Sequence, residues 1–479
     1  MRTLSPSIRV RFQISIVAAA LFSTVATAGV GVWTTNGPPN ALGSVFVIAD
    51  PLRPGTLYVS EFDNSNPYIP LAPYKSTDDG ATWTQLSYVV QSPIPLATAP
   101  PNTVYFSQYG CGQATCTYPV DMSTDGGTTW RYDIDGDIGT PTVALVVDPV
   151  APTTLFLGQS YVPIDRVSPT VSSLLKSTDG GATWTHMDTG LGLDSAVIAK
   201  MIGTKVSGTI YVLTETVRDP NATHGLFKTV DGGATWTQLT NAPSFAQVLA
   251  ADPTNANVIY AVTCCSNNGE TLLKSVDGGA SFATINAGLP ISVTSFVINP
   301  AWPANVFVGT NPGGVFRSSD GGATLQPMNA GLSDLNVGYL AIDGNGSFLH
   351  AGTQNAVFDY QLSSCTPDTH TLCLNDGRFS VTADFQQTSE GPSAPATAIP
   401  LTNDTGYFWF FDAANVEMVV KVLTGCPVNG EYWVFAGGLT NVGVEWKVTD
   451  TLTGTSKSYS NAFGTPFQPI QDSSAFPCQ

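Results

Sequence analysis

Ser177-Thr178-Asp179-Gly180-Gly181-Ala182-Thr183-Trp184 is one of six near-copies of a single short stretch; the others begin at Ser76, Ser123, Thr229, Ser275 and Ser318. Each is a polar turn set between residues that favour strands. Glycine supplies positive φ, and the Asp carboxylate and Ser hydroxyl are placed to bond nearby backbone N–H groups. Leu174-Leu175-Lys176 leads in and Thr183-Trp184-Thr185 leads out, so the unit reads as a β-hairpin corner. The closing position holds Trp83, Trp130, Trp184, Trp236, Phe282 and Leu325 in turn. An aromatic at a fixed offset from a turn suits a repeated packing contact.

The central acids are Asp78, Asp125, Asp179, Asp231, Asp277 and Asp320, separated by 47, 54, 52, 46 and 43 residues. That period fits one four-stranded sheet per repeat. A strand such as Ala144-Leu145-Val146-Val147 runs into Asp148-Pro149, and a second strand, Thr154-Leu155-Phe156-Leu157, follows. A variable loop, a third strand, the polar turn and a fourth strand complete the period. A seventh unit, over residues 337–361, has three strands and no polar turn. Gly31-Val32-Trp33-Thr34-Thr35-Asn36 reads like Ala234-Thr235-Trp236-Thr237-Gln238-Leu239, as an orphan fourth strand. Supplying it to the seventh unit closes a ring and removes the exposed sheet edges of an open array.

These repeats resemble the Asp-box, or BNR, repeat of sialidase-like β-propellers over roughly residues 30–362. The resemblance implies an all-β chain: a seven-bladed β-propeller over residues 29–362, closed by an N-terminal strand, then a β-sandwich-like C-terminal domain over 363–479. Sialidases, xyloglucan hydrolases, sortilin-type receptors and photosystem assembly factors carry such repeats, so the resemblance speaks to fold and leaves activity open. The same acid in six copies suits a scaffold, and the six Asp residues are read as turn staples.

After Leu362 the pattern changes. Tyr407-Phe408-Trp409-Phe410-Phe411 is apolar on both faces, as a central sandwich strand is. Val416 to Val422 and Val444 to Val448 mostly alternate, as half-exposed strands do. The stretch from Asn403 to Gly454 resembles a C-terminal module of secreted bacterial proteins.

Residues 1–28 read as a secretory signal: Arg2, Arg9 and Arg11, an apolar run from Ile14 to Phe22, and an Ala26-Thr27-Ala28 cleavage site. The expected location is outside the cell or in the periplasm. The 479 residues carry a formal charge of −18, and removing the three Arg of the signal makes it −21. Such a charge disfavours nucleic acid and anionic membrane as partners. Eight Cys in an oxidising compartment suit disulfides. Cys111 with Cys116 and Cys365 with Cys373 close short loops, and Cys426 with Cys478 is the remaining distant pair. Adjacent Cys264 and Cys265 either bond to each other under strain or have partners elsewhere.

Catalytic signatures are sparse. A sialidase needs three Arg on a carboxylate, a Tyr–Glu nucleophile and an Asp acid. Residues 29–362 hold only Arg53, Arg131, Arg166, Arg218 and Arg317. An inverting hydrolase needs two carboxylates about 6.5–9.5 Å apart, and no pair is assignable from the sequence. Asp133-Ile134-Asp135-Gly136-Asp137 looks calcium-like but has Ile138 and Ala144 where an EF-hand loop needs Gly and Glu. A solvated loop is the reading adopted, with a calcium site of another type left open; no cofactor and no metal are expected.

The expected function is a secreted propeller that binds an extracellular protein or carbohydrate. The alternative is a glycoside hydrolase acting on extracellular polysaccharide. The expected surface is the face opposite the polar turns, where long loops concentrate function. Those loops carry Asp63, Tyr68, Tyr109, Tyr161, Asp165, Arg166, Arg218 and His224. Peptide mapping of the unreduced protein is expected to recover Cys111 linked to Cys116; free thiols at both would refute that pairing.

Overall fold

The six polar turns are held by one set of hydrogen bonds. The Ser177 hydroxyl accepts the Gly181 N–H at 2.8 Å and donates to Asp179 Oδ1 at 2.8 Å. Asp179 Oδ1 accepts the Thr183 N–H at 2.8 Å, and Oδ2 accepts the Thr183 hydroxyl at 2.7 Å. The turns of Asp78, Asp125, Asp231, Asp277 and Asp320 repeat this pattern, with Thr229 or Ser281 as substitutes at two positions. Each turn also bonds back to the turn joining the first two strands of its sheet. The Gly180 N–H reaches the Thr153 carbonyl at 2.9 Å, and Asp79, Gly126, Gly232, Gly278 and Gly321 reach Gly55, Asn102, Gly208, Asn257 and Ala304. Both turns of every repeat therefore share one face.

The structure is a computed structural model. It describes residues 31–38, 44–62, 70–91, 93–108, 110–111, 116–117, 119–134, 141–161, 171–191, 193, 196–216, 225–243, 248–266, 269–289, 292–362, 365, 367–375, 377–389, 391–451 and 454–478. The described residues are all-β apart from one helical turn, Cys426–Asn429. The first sheet comprises Ser44–Ala49, Leu57–Phe62, Tyr74–Ser76 and Thr84–Gln85, antiparallel in that order. Five more sheets follow, beginning with Ile94–Ala99, Thr142–Val147, Ala196–Gly203, Val248–Ala251 and Ser292–Ile298. In the second of the six, the fourth strand shrinks to a single bridge between Met122 and Arg131. A last sheet holds Val337–Ile342, Phe348–Thr353 and Val357–Gln361.

The first strand of each sheet touches the first strand of the next, and Val337–Ile342 touches Ser44–Ala49, so the contacts form a closed cycle. Second strands sit between neighbouring sheets and are buried on both faces, as at Leu57-Tyr58-Val59, Leu155-Phe156-Leu157 and Tyr211-Val212-Leu213. Their continuous apolar runs follow from that position.

Thr34–Gly37 pairs antiparallel with Val357–Gln361 and supplies the last sheet's fourth strand. Beside it Trp33 is 2% exposed. Its Nε1–H donates to the Met328 carbonyl at 2.6 Å, and its ring meets Tyr360 at 5.1 Å. Trp184 and Trp236 make the same bond one sheet back, to the carbonyls of Ile134 at 2.7 Å and Met187 at 2.8 Å. Trp33 thus does for the last sheet what Trp236 does for the fourth. The loop reading of residues 133–137 changes at one position: Ile134 is buried and accepts the Trp184 bond. Asp135 and Asp137 lie outside the described residues.

Residues 371–477 build two five-stranded sheets. One holds Thr371–Leu374, Phe379–Gln386, Gly443–Asp450 and Ser456–Asn461, with Ser393–Pro395 at its edge. The other runs Thr397–Thr402, Thr405–Trp409, Met418–Thr424, Glu431–Gly438, Ile470–Pro477. A single core that includes Phe379, Phe408, Met418, Val434, Trp446 and Phe476 draws on both. The strand read as Tyr407 to Phe411 ends at Trp409; Phe410 turns inward and Phe411 is exposed. Disulfides join Cys365 to Cys373 and Cys426 to Cys478. The side chains of Cys111, Cys116, Cys264 and Cys265 are outside the described set.

Two outcomes are expected. Trp33→Ala removes a large buried ring and lowers unfolding stability by about 3–5 kcal/mol; a loss under about 1 kcal/mol in chemical denaturation would contradict its role as the closing anchor. The second concerns acid. Hydrogen bonds from the residue four places on hold the carboxyls of Asp125, Asp179 and Asp277 down to about 2. A depressed folded-state pKa gives stability above the ordinary carboxylate range that is lost as pH falls through it. The melting temperature is therefore expected to drop between about pH 4 and pH 2. Asp179→Ala should lower it at neutral pH and flatten that acid limb.

Candidate functional site

The turn face has a mouth at its centre. Four of the inner strands end in Asp-Pro or Asn-Pro corners: Asp50-Pro51, Asp148-Pro149, Asp252-Pro253 and Asn299-Pro300. Each polar side chain caps its own corner, and Asp148 and Asn299 also reach the neighbouring sheet. Asp50 Oδ1 accepts the N–H groups of Leu52 at 2.9 Å and Arg53 at 3.1 Å, and Oδ2 faces the Arg53 guanidinium. Asp148 Oδ1 accepts Val150 and Ala151, and Oδ2 crosses to the Ser207 hydroxyl at 2.7 Å and the Gly208 N–H at 2.9 Å on the next sheet. Burial disfavours ionised Asp148, but its bonds from Ala151, Ser207, Val150 and Gly208 outweigh this and hold the carboxyl below the usual range. Asp252 caps Thr254 and Asn255, and Asn299 caps Ala301 and Trp302.

With the carboxylates turned into their own corners, prolines and aliphatic groups form the lining. The cavity between the inner strand ends has a volume of about 460 Å³ and is walled by Pro51, Leu52, Thr98, Pro100, Val147, Pro149, Gly203, Thr204, Lys205, Ala251 and Pro253, with Asp148 and Asp252 behind. Five sheets contribute to it. Leu52 is 63% exposed, and Val150 and Val206 stand exposed on adjoining turns. Lys205 is exposed at the rim. This arrangement can bury an apolar group and pair its flank with one ammonium. It offers neither a nucleophile nor two free carboxyls.

On the opposite face, Glu61 and Glu215 stand near the ends of the second strands Leu57–Phe62 and Ile210–Thr216, one register position apart, since Tyr58 and Tyr211 are the equivalent residues. Burial pushes the Glu215 carboxyl up against the opposing pull of Lys200. Glu270 is buried and also pushed up, but its Oε2 accepts the Val293 N–H at 2.6 Å, so it serves the fold. Asp121 is likewise used internally, by the Tyr88 hydroxyl, Gln108 and the Asp133 N–H. The loop residues singled out from the sequence, Asp63, Tyr68, Tyr109, Asp165, Arg166, Arg218 and His224, lie outside the described residues. Tyr161 is described only as the backbone end of Leu155–Tyr161. The cavity escaped sequence reading because its walls come from five repeats, and an Asp-Pro corner reads as punctuation.

No family model and no curated protein matches the chain. Among solved structures, it is similar to the GH74 xyloglucanase of Xanthomonas campestris, with 15% identity and a TM-score of 0.52, over 91% of this chain and 81% of that one. That likeness shows the fold, a β-propeller. YCF48 from Cyanidioschyzon merolae aligns at 12% identity and a TM-score of 0.48, over 68% of this chain and 98% of that one. An ancestral GH74 enzyme aligns at 12% identity and 0.49, over 90% and 63%. Among the described residues no helix is long and apolar enough to cross a membrane.

Proposed function

We propose that this chain is a secreted, non-catalytic binding protein that takes an apolar segment of a protein chain into the cavity at the centre of its turn face. In this reading residues 1–28 are a signal, residues 29–362 form a seven-bladed propeller of BNR type, and residues 363–479 form an accessory sandwich. The observation that carries the reading is the chemistry of the cavity wall. Prolines, Leu52 and Val147 line it, while Asp148 and Asp252 are committed to backbone N–H groups. A sugar needs convergent polar groups and an aromatic platform, and this wall has neither. An aliphatic or aromatic side chain needs only a dry, rigid concavity, with Lys205 available to a carboxylate beside it.

Two rivals rest on the other face. The loop residues from Asp63 to His224 would hold a glycan or protein there. Glu61 and Glu215 would serve a glycosidase, the reading consistent with the xyloglucanase likeness.

The test is selection of binders from a random peptide library on the full secreted chain. Selected peptides are expected to be rich in aliphatic and aromatic residues. Leu52→Glu should weaken them at least about tenfold, roughly 1.4 kcal/mol, without lowering the melting temperature, and Tyr109→Ala with Tyr161→Ala should leave them unchanged. The reverse pattern would move the site to the loop face. Release of reducing sugar from xyloglucan, abolished by Glu215→Gln, would replace the reading with catalysis.

A further inference from the structure

Successive sheets meet through a repeated pair of side chains. A cation just before the polar turn faces an aromatic across the strands: Lys75 with Tyr58, Lys176 with Phe156, Lys228 with Tyr211 and Lys274 with Tyr260. Each ammonium stands 5.0–5.5 Å from its ring centroid. It then reaches the polar turn of the following sheet. Lys75, Lys176 and Lys228 donate to the carbonyls of Gly126, Gly232 and Gly278 at 3.1, 3.0 and 3.1 Å. A Cβ on Gly126, Gly232, Gly278 or Gly321 would lie only 2.6–2.8 Å from the ammonium, and their φ of 69–73° favours glycine as well.

The seam between the last sheet and the first reverses this chemistry. The cross-strand pair there is His350 with Asp359, joined Nδ1 to Oδ1 at 2.7 Å, and both side chains are at most 1% exposed. The facing turn holds Asp79, at φ 54°, where the other five turns hold glycine. Asp343 closes the cluster from the end of Val337–Ile342 and is buried. Among the described residues, Asp79 Oδ1, Asp343 Oδ2, Asp359 Oδ2 and His350 Nε2 are buried without a hydrogen-bond partner. The other charges packed nearby are spent. Asp78 holds Ser76 and Thr82, Asp50 and Arg53 pair with each other, and Lys75 reaches away to Gly126. Thr34–Gly37, the strand that closes this sheet, brings no charge. No three of the described His, Cys, Asp and Glu side chains are grouped to hold a metal ion.

We infer that this seam is operated by protons: the Asp79 and Asp343 carboxyls, packed beside the buried His350–Asp359 pair, take up a proton under mildly acidic conditions, which tightens the last sheet against the first, and give it up as the pH rises, which loosens the ring where its ends meet. The buried Asp343 and Asp359 carboxylates and the half-buried Asp79 carboxylate repel one another, and a proton is the smallest charge that relieves them. Burial, reinforced by Asp343 and Asp359 against the pull of His350, pushes the Asp79 carboxyl up to about 6, and burial pushes Asp343 up as well. A carboxyl raised in the folded state binds more protons folded than unfolded. Its stabilisation is complete below the ordinary carboxylate range and is lost as pH rises through about 6.

The test compares the full chain with Asp79→Asn, an uncharged isostere that tolerates the same positive φ. At about pH 8 the variant is expected to melt about 3 °C higher than the parent, with the gap narrowing as pH falls through about 6 and closing only below about pH 4. Hydrogen exchange read at equal pH gives a local signal. The peptide covering residues 31–38 should exchange several-fold faster in the parent at about pH 8 and equally in both below about pH 4. Parallel melting curves across that range, or equal exchange at both pH values, would overturn the inference. So would a calcium- or manganese-dependent rise in melting temperature that Asp79→Asn abolishes, since the cluster would then be a cation site.

Discussion

The last sheet has no fourth strand of its own, and here one short strand from before the first sheet supplies it. Without Thr34–Gly37, the strand Val357–Gln361 would present unpaired N–H and C=O groups along the outside of the last sheet. Trp33 fastens the strand by filling the place between the last two sheets that Trp236 fills between the third and fourth. The ring is thus closed by residues more than three hundred positions apart in the chain, and its last sheet depends on both ends of that stretch.

Elsewhere the ring is held by repetition. Ser, Asp and Thr satisfy each turn's backbone groups, and the turn's first N–H ties it to the neighbouring corner. These acids are occupied by structure, each holding its own turn. The inner corners treat their carboxylates in the same way, and the consequence is chemical: the centre of the turn face is left to prolines and aliphatic groups. The corners stiffen that cavity, since four of its lining residues are prolines with φ fixed by their rings.

Much of this was legible in the sequence. The turns announced themselves by copying, and the likeness of Gly31–Asn36 to Ala234–Leu239 marked the closing strand. What stayed hidden arises between repeats. Pro51, Thr98, Pro149, Lys205 and Pro253 form one wall, yet no local pattern joins them. Asp79 reads as a tolerated substitute for glycine, because His350, Asp359 and Asp343 meet it only when the ring closes. Ile134 looked like part of a polar loop, and its burial depends on Trp184, fifty residues on. The surface loops gave the opposite problem. Their aromatic and charged residues stood out in the sequence, but the structure describes only one of them, Tyr161, and that by its backbone.

Closure by the N-terminal strand is the claim on which the rest stands, and it is tested most directly by taking the strand away and returning it. A chain beginning at residue 39 should melt earlier and in a broadened transition. A synthetic peptide spanning Gly31–Gly37 should restore a single, higher transition, with a melting temperature that climbs with peptide concentration. The same peptide with Ala in place of Trp33 should fail to do so. If the shortened chain melts as the full one does, or if the peptide has no effect at any concentration, the ring is closed by other means and the account is wrong.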